Sequence, residues 1–301
     1  MTRADWLRLI LLSVLWGGSF FFVEIALTAL PPLAVVWARV AIGALGLGLI
    51  LAATGRALPR GPAVWIALAG MGFLNNAVPF TLFALAQGQI TGALAAILNA
   101  TTPLFTLVAM HLFTGDDGIT PRRALGLLAG MGGVVVMMWG QALDGTVWAK
   151  LACLAAAASY ALAGVWARRF RALGTAPLQI AFGQCAMSTV LILPFFLLLS
   201  PPVALDAVPL RVWAALAGLG LFSTVLAYLL FFRILASAGA VRLALVTFLI
   251  PVSATGLGLA FLSQVPEGRH LAGFALIAAG LVAVGGGGPV RASSAGNSRS
   301  A

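Results

Sequence analysis

Charge is what this chain has least of: charged residues make up 8% of its 301 positions, against 62% hydrophobic. A soluble globular fold needs charged side chains to cover its surface, so that class is excluded and the solvent is a bilayer. Only seven residues are acidic and two are histidine, and there is no HExxH, GxSxG, Walker or Cys/His cluster. That argues against catalysis and offers no site for a metal or cofactor. Cysteine is scarce too. Cys153 and Cys185 fall inside apolar stretches with no metal-ligand spacing and no soluble loop to staple, which assigns them to packing. Polar linkers long enough to hold a separate soluble domain are also lacking.

What is present is a succession of apolar runs of about 20 residues, the length that spans roughly 30 Å of hydrocarbon. They fall near 6–28, 33–54, 62–85, 91–113, 123–142, 148–167, 177–199, 211–233, 241–263 and 269–287. Proline, glycine and charge clusters such as LPPLA, GRALPRGP and ARRFRALGTAP punctuate them. The expected fold is therefore an all-α integral membrane protein of ten transmembrane helices. The formal charge of +10 does not point to nucleic acid, because its cations sort by side. With a cytoplasmic N-terminus, the inner loops and ends hold thirteen arginines (Arg3, Arg8, Arg56, Arg60, Arg122, Arg123, Arg168, Arg169, Arg171, Arg233, Arg242, Arg291 and Arg299). The outer side holds three cations, Lys150, Arg211 and Arg269. That bias predicts a multi-pass protein of the cell membrane, bacterial inner membrane by type, with both termini cytoplasmic.

The chain also reads as one unit written twice. Pro103 in LNATTPLF and Pro251 in VTFLIPVS lie 148 positions apart, and near that offset Pro32 meets Pro177, Phe80 meets Tyr228, and Gly126 and Gly133 meet Gly273 and Gly280. The expected division is a first five-helix repeat over 1–145, a second over 146–288 and a disordered cytoplasmic tail over 289–301. Five is odd, so the second copy enters the membrane from the opposite side. The arginines agree: the loop between helices 1 and 2 has none, while its counterpart reads ARRFR. Inverted repeats let two halves exchange conformations around a site near the midplane, which is the logic of alternating access in a carrier.

The segments WGGSFFFVEIAL, PPLAVVWARVAIGAL and LAAILNATTPLFTLVAMHLFTGDD resemble the EamA-type carriers of the drug/metabolite transporter superfamily, and LALVTFLIPVSATGLGLAFLSQ with HLAGFALIAAGLVAV repeats the plan. The resemblance covers roughly residues 5–287. It implies a secondary transporter that exports or exchanges a small polar or amphipathic metabolite, such as an amino acid or derivative, a nucleobase or a drug-like solute. The chain departs from the family in two places. Helices 4 and 9 usually end in an acid after a glycine, where this sequence has Gly115-Asp116 and Ser263-Gln264; and Glu24 stands where many relatives carry a lysine or arginine.

Several residues are candidates for the chemistry. A proline inside a helix frees the carbonyl four residues earlier. For Pro103 and Pro251, expected to be helix breaks, these are the carbonyls of Asn99 and Thr247. Asn99, Thr102 and Thr247 then either line a cavity or patch their own helices. Asn75 and Asn76 lie midway along helix 3, with Ser223 and Thr224 matching in helix 8. On a regular helix an adjacent amide pair cannot both face one neighbour. Asn76 with Phe80, and Thr224 with Tyr228, share a face at i, i+4. Trp16 and Tyr160 match each other deep in helices 1 and 6, as ligand-stacking groups or as core. Arg39 is the basic residue deep within a span, and its repeat equivalent is Gln184. Glu24 and Arg39 flank the turn near Leu30 to Pro32 at similar depth, which predicts an ion pair, either structural or opened during transport. The partners expected are a small solute and the lipid bilayer, with the protein a monomer or weak homodimer. The alternative function is a membrane scaffold or a channel-like facilitator.

Overall fold

The computed structural model describes residues 2–114, 120–138, 146–239, 243 and 245–285. Within them run α1 (Arg3–Ala26), α2 (Pro32–Ala53), α3 (Pro62–Gln87), α4 (Gly92–Thr114), α5 (Pro121–Met138), α6 (Thr146–Ala167), α7 (Pro177–Leu199), α8 (Leu210–Ala238), α9 (Val246–Leu262) and α10 (Gly268–Gly285), with no strand among the described residues. Seven of these segments, α1 to α4 and α6 to α8, are long and apolar enough to cross a membrane, and α5 and α9 contain shorter apolar stretches. The expected tail over 289–301, the junction around residue 145 and the acid at Asp116 lie outside the described residues.

Local chemistry sets the helix ends. Thr2 and Asp5 form a capping box on α1, each side chain accepting the other's backbone N–H at 3.1 Å. Proline opens α2, α3 and α7, where its missing N–H is an orphan anyway. The Thr91 hydroxyl accepts the Leu94 N–H at the start of α4. The outer surface is as apolar as the inside: Leu45, Leu49, Leu197, Leu198 and Phe261 are all exposed. Such a surface belongs against lipid tails rather than water.

Packing follows a pattern of pairs. α1 packs on α9 and α6 on α4; α1 meets α8 and α6 meets α3; α2 meets α8 and α7 meets α3. Three further pairs, α2 with α7, α4 with α9, and α5 with α10, join helices five places apart. Replacing each helix by the one five places along the chain returns these same pairings. The α5 and α10 contact is reciprocal in detail, since a Cβ on Gly133 would run into the Gly273 carbonyl and one on Gly280 into the Gly126 carbonyl. Only glycine allows those two backbones to approach so closely.

Helix ends also sort into two sets. The start of α1 meets the end of α8 through Asp5 and Ser237 at 2.9 Å, and Gln179 at the start of α7 donates to the Ala57 carbonyl after α2 at 2.8 Å. At the opposite end of α1, Glu24 meets the start of α4 and the segment after α9.

The two prolines behave differently, which corrects one expectation. α4 is interrupted at Ala100 and Thr101, between Gly92–Asn99 and Thr102–Thr114, whereas α9 runs unbroken through Pro251. The reason lies in the side chains. Thr101, Thr102 and Thr106 each donate to a nearby helix carbonyl, those of Leu98, Asn99 and Thr102, at 2.7 to 2.9 Å. Hydroxyls of this kind compete with the backbone ladder. The matching positions beside Pro251 are Leu249, Ile250 and Ala254, which have no hydroxyl, and nearby Ser253 donates to the Leu249 and Ile250 carbonyls within a helix that continues.

Candidate functional site

The polar residues of α3 and α8 sit on wide turns. α3 passes through a π-helix over Phe73–Ala77 and α8 through one over Gly218–Leu226, so Asn75 with Asn76 and Ser223 with Thr224 occupy equivalent π segments. In α3 the Val78 N–H reaches back five residues to the Phe73 carbonyl, and Pro79 has no N–H to offer Asn75. In α8 the Ala227 N–H reaches Phe222, and the Thr224 hydroxyl takes the Leu219 carbonyl at 2.8 Å. Such bulges recur at functional sites because they turn side chains that a regular helix would aim elsewhere.

The consequence is a cluster among α2, α3, α7 and α8. Asn75 Nδ2 donates to Gln184 Oε1 at 3.0 Å and to the Tyr228 hydroxyl at 3.2 Å. The same hydroxyl donates to Asn76 Oδ1 at 3.1 Å, and Asn76 Nδ2 points to Cys185 Sγ at 3.8 Å. Both amides thus face α7 and α8, against the expectation for a regular helix. The wider π turn brings successive side chains closer in direction and explains the difference.

Arg39 completes the cluster from α2. Its Nε donates to Thr224 Oγ1 at 3.3 Å, and its guanidinium lies 3.7 Å from the centre of the Phe80 ring. A desolvated cation over an aromatic face gains about 2 kcal/mol. Under exchange of the halves Arg39 corresponds to Gln184 and Phe80 to Tyr228. One half therefore presents a cation over a plain ring where the other presents an amide beside a phenol. Gly72 lets α3 approach α7, since a Cβ there would fall 2.7 Å from the Gln184 carbonyl oxygen.

Asn76, Phe80, Thr224, Tyr228 and Arg39 are brought together. Tyr160 stacks on Phe83 at 6.3 Å, and Trp16 packs against Phe231 at 5.7 Å, both on the large core cluster; Tyr160 is within electrostatic reach of Arg39. Asn99 and Thr102 are held apart from the cluster at the α4 interruption, where the Thr102 hydroxyl satisfies the freed Asn99 carbonyl at 2.7 Å. Thr247 lies on α9, half-buried, one turn before Pro251.

The expected ion pair is not made. Glu24 Oε2 accepts the Gly92 N–H at the start of α4, at 3.1 Å, and Glu24 Oε1 accepts from Gln264 Nε2. Arg39 meets only neutral groups among the described residues. Glu24 stands two residues before the end of α1, whereas Arg39 stands two turns into α2, so the two side chains reach different neighbours. A helix N-terminus offers a carboxylate both N–H groups and a favourable dipole, and so competes for Glu24. The two departures from the family pattern, at 24 and 264, turn out to be one contact. Beside it, Gln87 Nε2 donates to the Phe20 carbonyl at 2.8 Å. A cavity of about 80 Å³ opens there between Thr91, Leu94, Ile97, Gln264, Glu267 and His270. Lys150, expected on the outer side, is fully buried in the first turns of α6.

An apolar, lipid-facing bundle with a polar cluster between its helices defines a multi-pass membrane protein. The EamA-like transporter family model matches residues 6–139 and again 147–286, and the chain belongs to that family. It is similar to an uncharacterized inner membrane transporter, YedA, of Escherichia coli K12, with 29% identity over 84% of this chain and 83% of the relative. It is also similar to protein PecM of Dickeya dadantii, 28% identical over 89% of this chain and 88% of that one. A solved crystal structure shares the fold at a TM-score of 0.67 and 22% identity, covering 94% of this chain and 98% of the other. Family and relatives are those of transporters rather than enzymes.

Proposed function

We propose that the chain is a secondary carrier of ten membrane helices in two inverted five-helix repeats, with both termini cytoplasmic. It moves a small polar or amphipathic metabolite, in export or exchange, by alternating access. The observation that carries this reading is the equivalent placement of two π turns, which gather polar and aromatic side chains from both halves at one interface. The exchangeable pairings and the double family match support the repeat. In this orientation Glu24, Gly92 and Gln264 lie at the outer end and tie α1, α4 and α9 together, closing the central cluster on that side.

The test compares metabolites released by cells overexpressing or lacking the protein, followed by flux in proteoliposomes. Asn76→Ala and Tyr228→Phe are expected to lower saturable flux at least about tenfold, the size of a lost hydrogen bond to a charged or buried group. Absence of flux for any member of a broad solute panel would overturn the carrier reading.

A further inference from the structure

We propose that the central site takes solutes carrying a single carboxylate on a flat apolar body, with the carboxylate bound at Arg39; this rests on the carrier reading. Arg39 is 7% exposed and has one hydrogen bond, from Nε to Thr224 at 3.3 Å. Its two terminal amino groups donate to nothing among the described residues, although a guanidinium offers five N–H groups in a fork that matches a carboxylate. The described acids are all engaged or exposed elsewhere. Asp5 binds Thr2, Arg8 and Ser237; Glu24 binds Gly92 and Gln264; Glu267 binds Arg269; and Asp206 is exposed in a short turn.

A buried cation among neutral partners leaves the site one charge short of neutrality, and an intramembrane charge is costly until it is paired. One cation calls for one anionic charge, because the repeat equivalent of Arg39 is the neutral Gln184. The rest of the cluster suits the remainder of such a solute. Phe80, Tyr160 and Tyr228 are half-buried ring faces, and Asn75, Gln184 and Tyr228 form a polar chain linking α3, α7 and α8. The head group then lies between α2 and α8 and the body extends toward α3 and α7.

The experiment uses the purified full chain in detergent and matched pairs of acid and amide: benzoate and benzamide, phenylacetate and phenylacetamide, indole-3-acetate and indole-3-acetamide. Thermal stabilisation is measured against concentration. At least one acid is expected to act at a concentration about ten- to a hundredfold below its amide, the range for a hydrogen-bonded charge. Arg39→Gln is expected to bring each pair within about twofold. Arg39→Lys, which keeps the charge but not the fork, should retain the preference at weaker affinity, and it decides the matter should Arg39→Gln not fold. Amides binding as well as acids, an unchanged preference in Arg39→Gln, or no stabilisation by any acid would overturn the proposal. Flux of a neutral metabolite in proteoliposomes would still leave the carrier reading standing.

Discussion

Thr224 has two obligations at once. Its hydroxyl donates to the Leu219 carbonyl and accepts from the Arg39 guanidinium. Thr224→Val keeps the shape and removes both bonds, leaving the buried Arg39 guanidinium without its hydrogen bond. We expect a loss of about 2 to 4 kcal/mol, read as a lowered melting temperature in detergent, with Thr224→Ser restoring most of it. Glu24 poses a similar test with a different answer. Its two oxygens accept from the Gly92 N–H and the Gln264 amide, contacts that an amide oxygen preserves in part and a leucine abolishes. Glu24→Leu should therefore lower the melting temperature more than Glu24→Gln, by a difference of about 1 to 3 kcal/mol. Equal effects would mean that the contact does not hold the ends of α1, α4 and α9.

At the scale of the element, the two prolines separate cleanly. Pro103 stands in the first turn after the α4 interruption, where a backbone N–H would have no partner, so Pro103→Ala should change stability by less than about 0.5 kcal/mol. Pro251 stands inside a continuous helix, where the ring costs up to about 3 kcal/mol by removing one bond and crowding the preceding turn. Pro251→Ala is accordingly expected to raise the melting temperature, and a reversal of that order would refute the assignment of break and continuity. The contrast also shows what the sequence could reveal. Helix positions were legible because apolar length and proline or glycine punctuation follow directly from bilayer thickness and backbone chemistry. The π turns were not, since a wide turn has no compositional signature and Ser223 and Thr224 look ordinary in an apolar run. The difference between α4 and α9 was present in the threonines, but it required weighing hydroxyls against the proline rather than counting the proline alone.

For the whole molecule, the question is whether the exchangeable packing reflects inversion. The loop after α2 and the loop after α7 stand at equivalent places in the two halves. In a parallel duplication they would share a side of the membrane; in an inverted one they are opposed. The arginines favour opposition, with Arg56 and Arg60 in the first loop and none over 200–209. Both native cysteines are fully buried and provide a quiet background for labelling. Ala57 and Ala204 are exposed in those loops, and a small side chain at either place touches little. In intact cells, Ala204→Cys is expected to react with a membrane-impermeant maleimide and Ala57→Cys to react only after permeabilisation. Labelling of both from one side would remove the inverted repeat, and with it the reason for two matched π turns to serve a single site alternately from each face. Opposed labelling leaves the site where symmetry demands it, at the axis that relates the halves. There Arg39 against Gln184 is the difference in charge between the halves, and the proposed carboxylate preference rests on it.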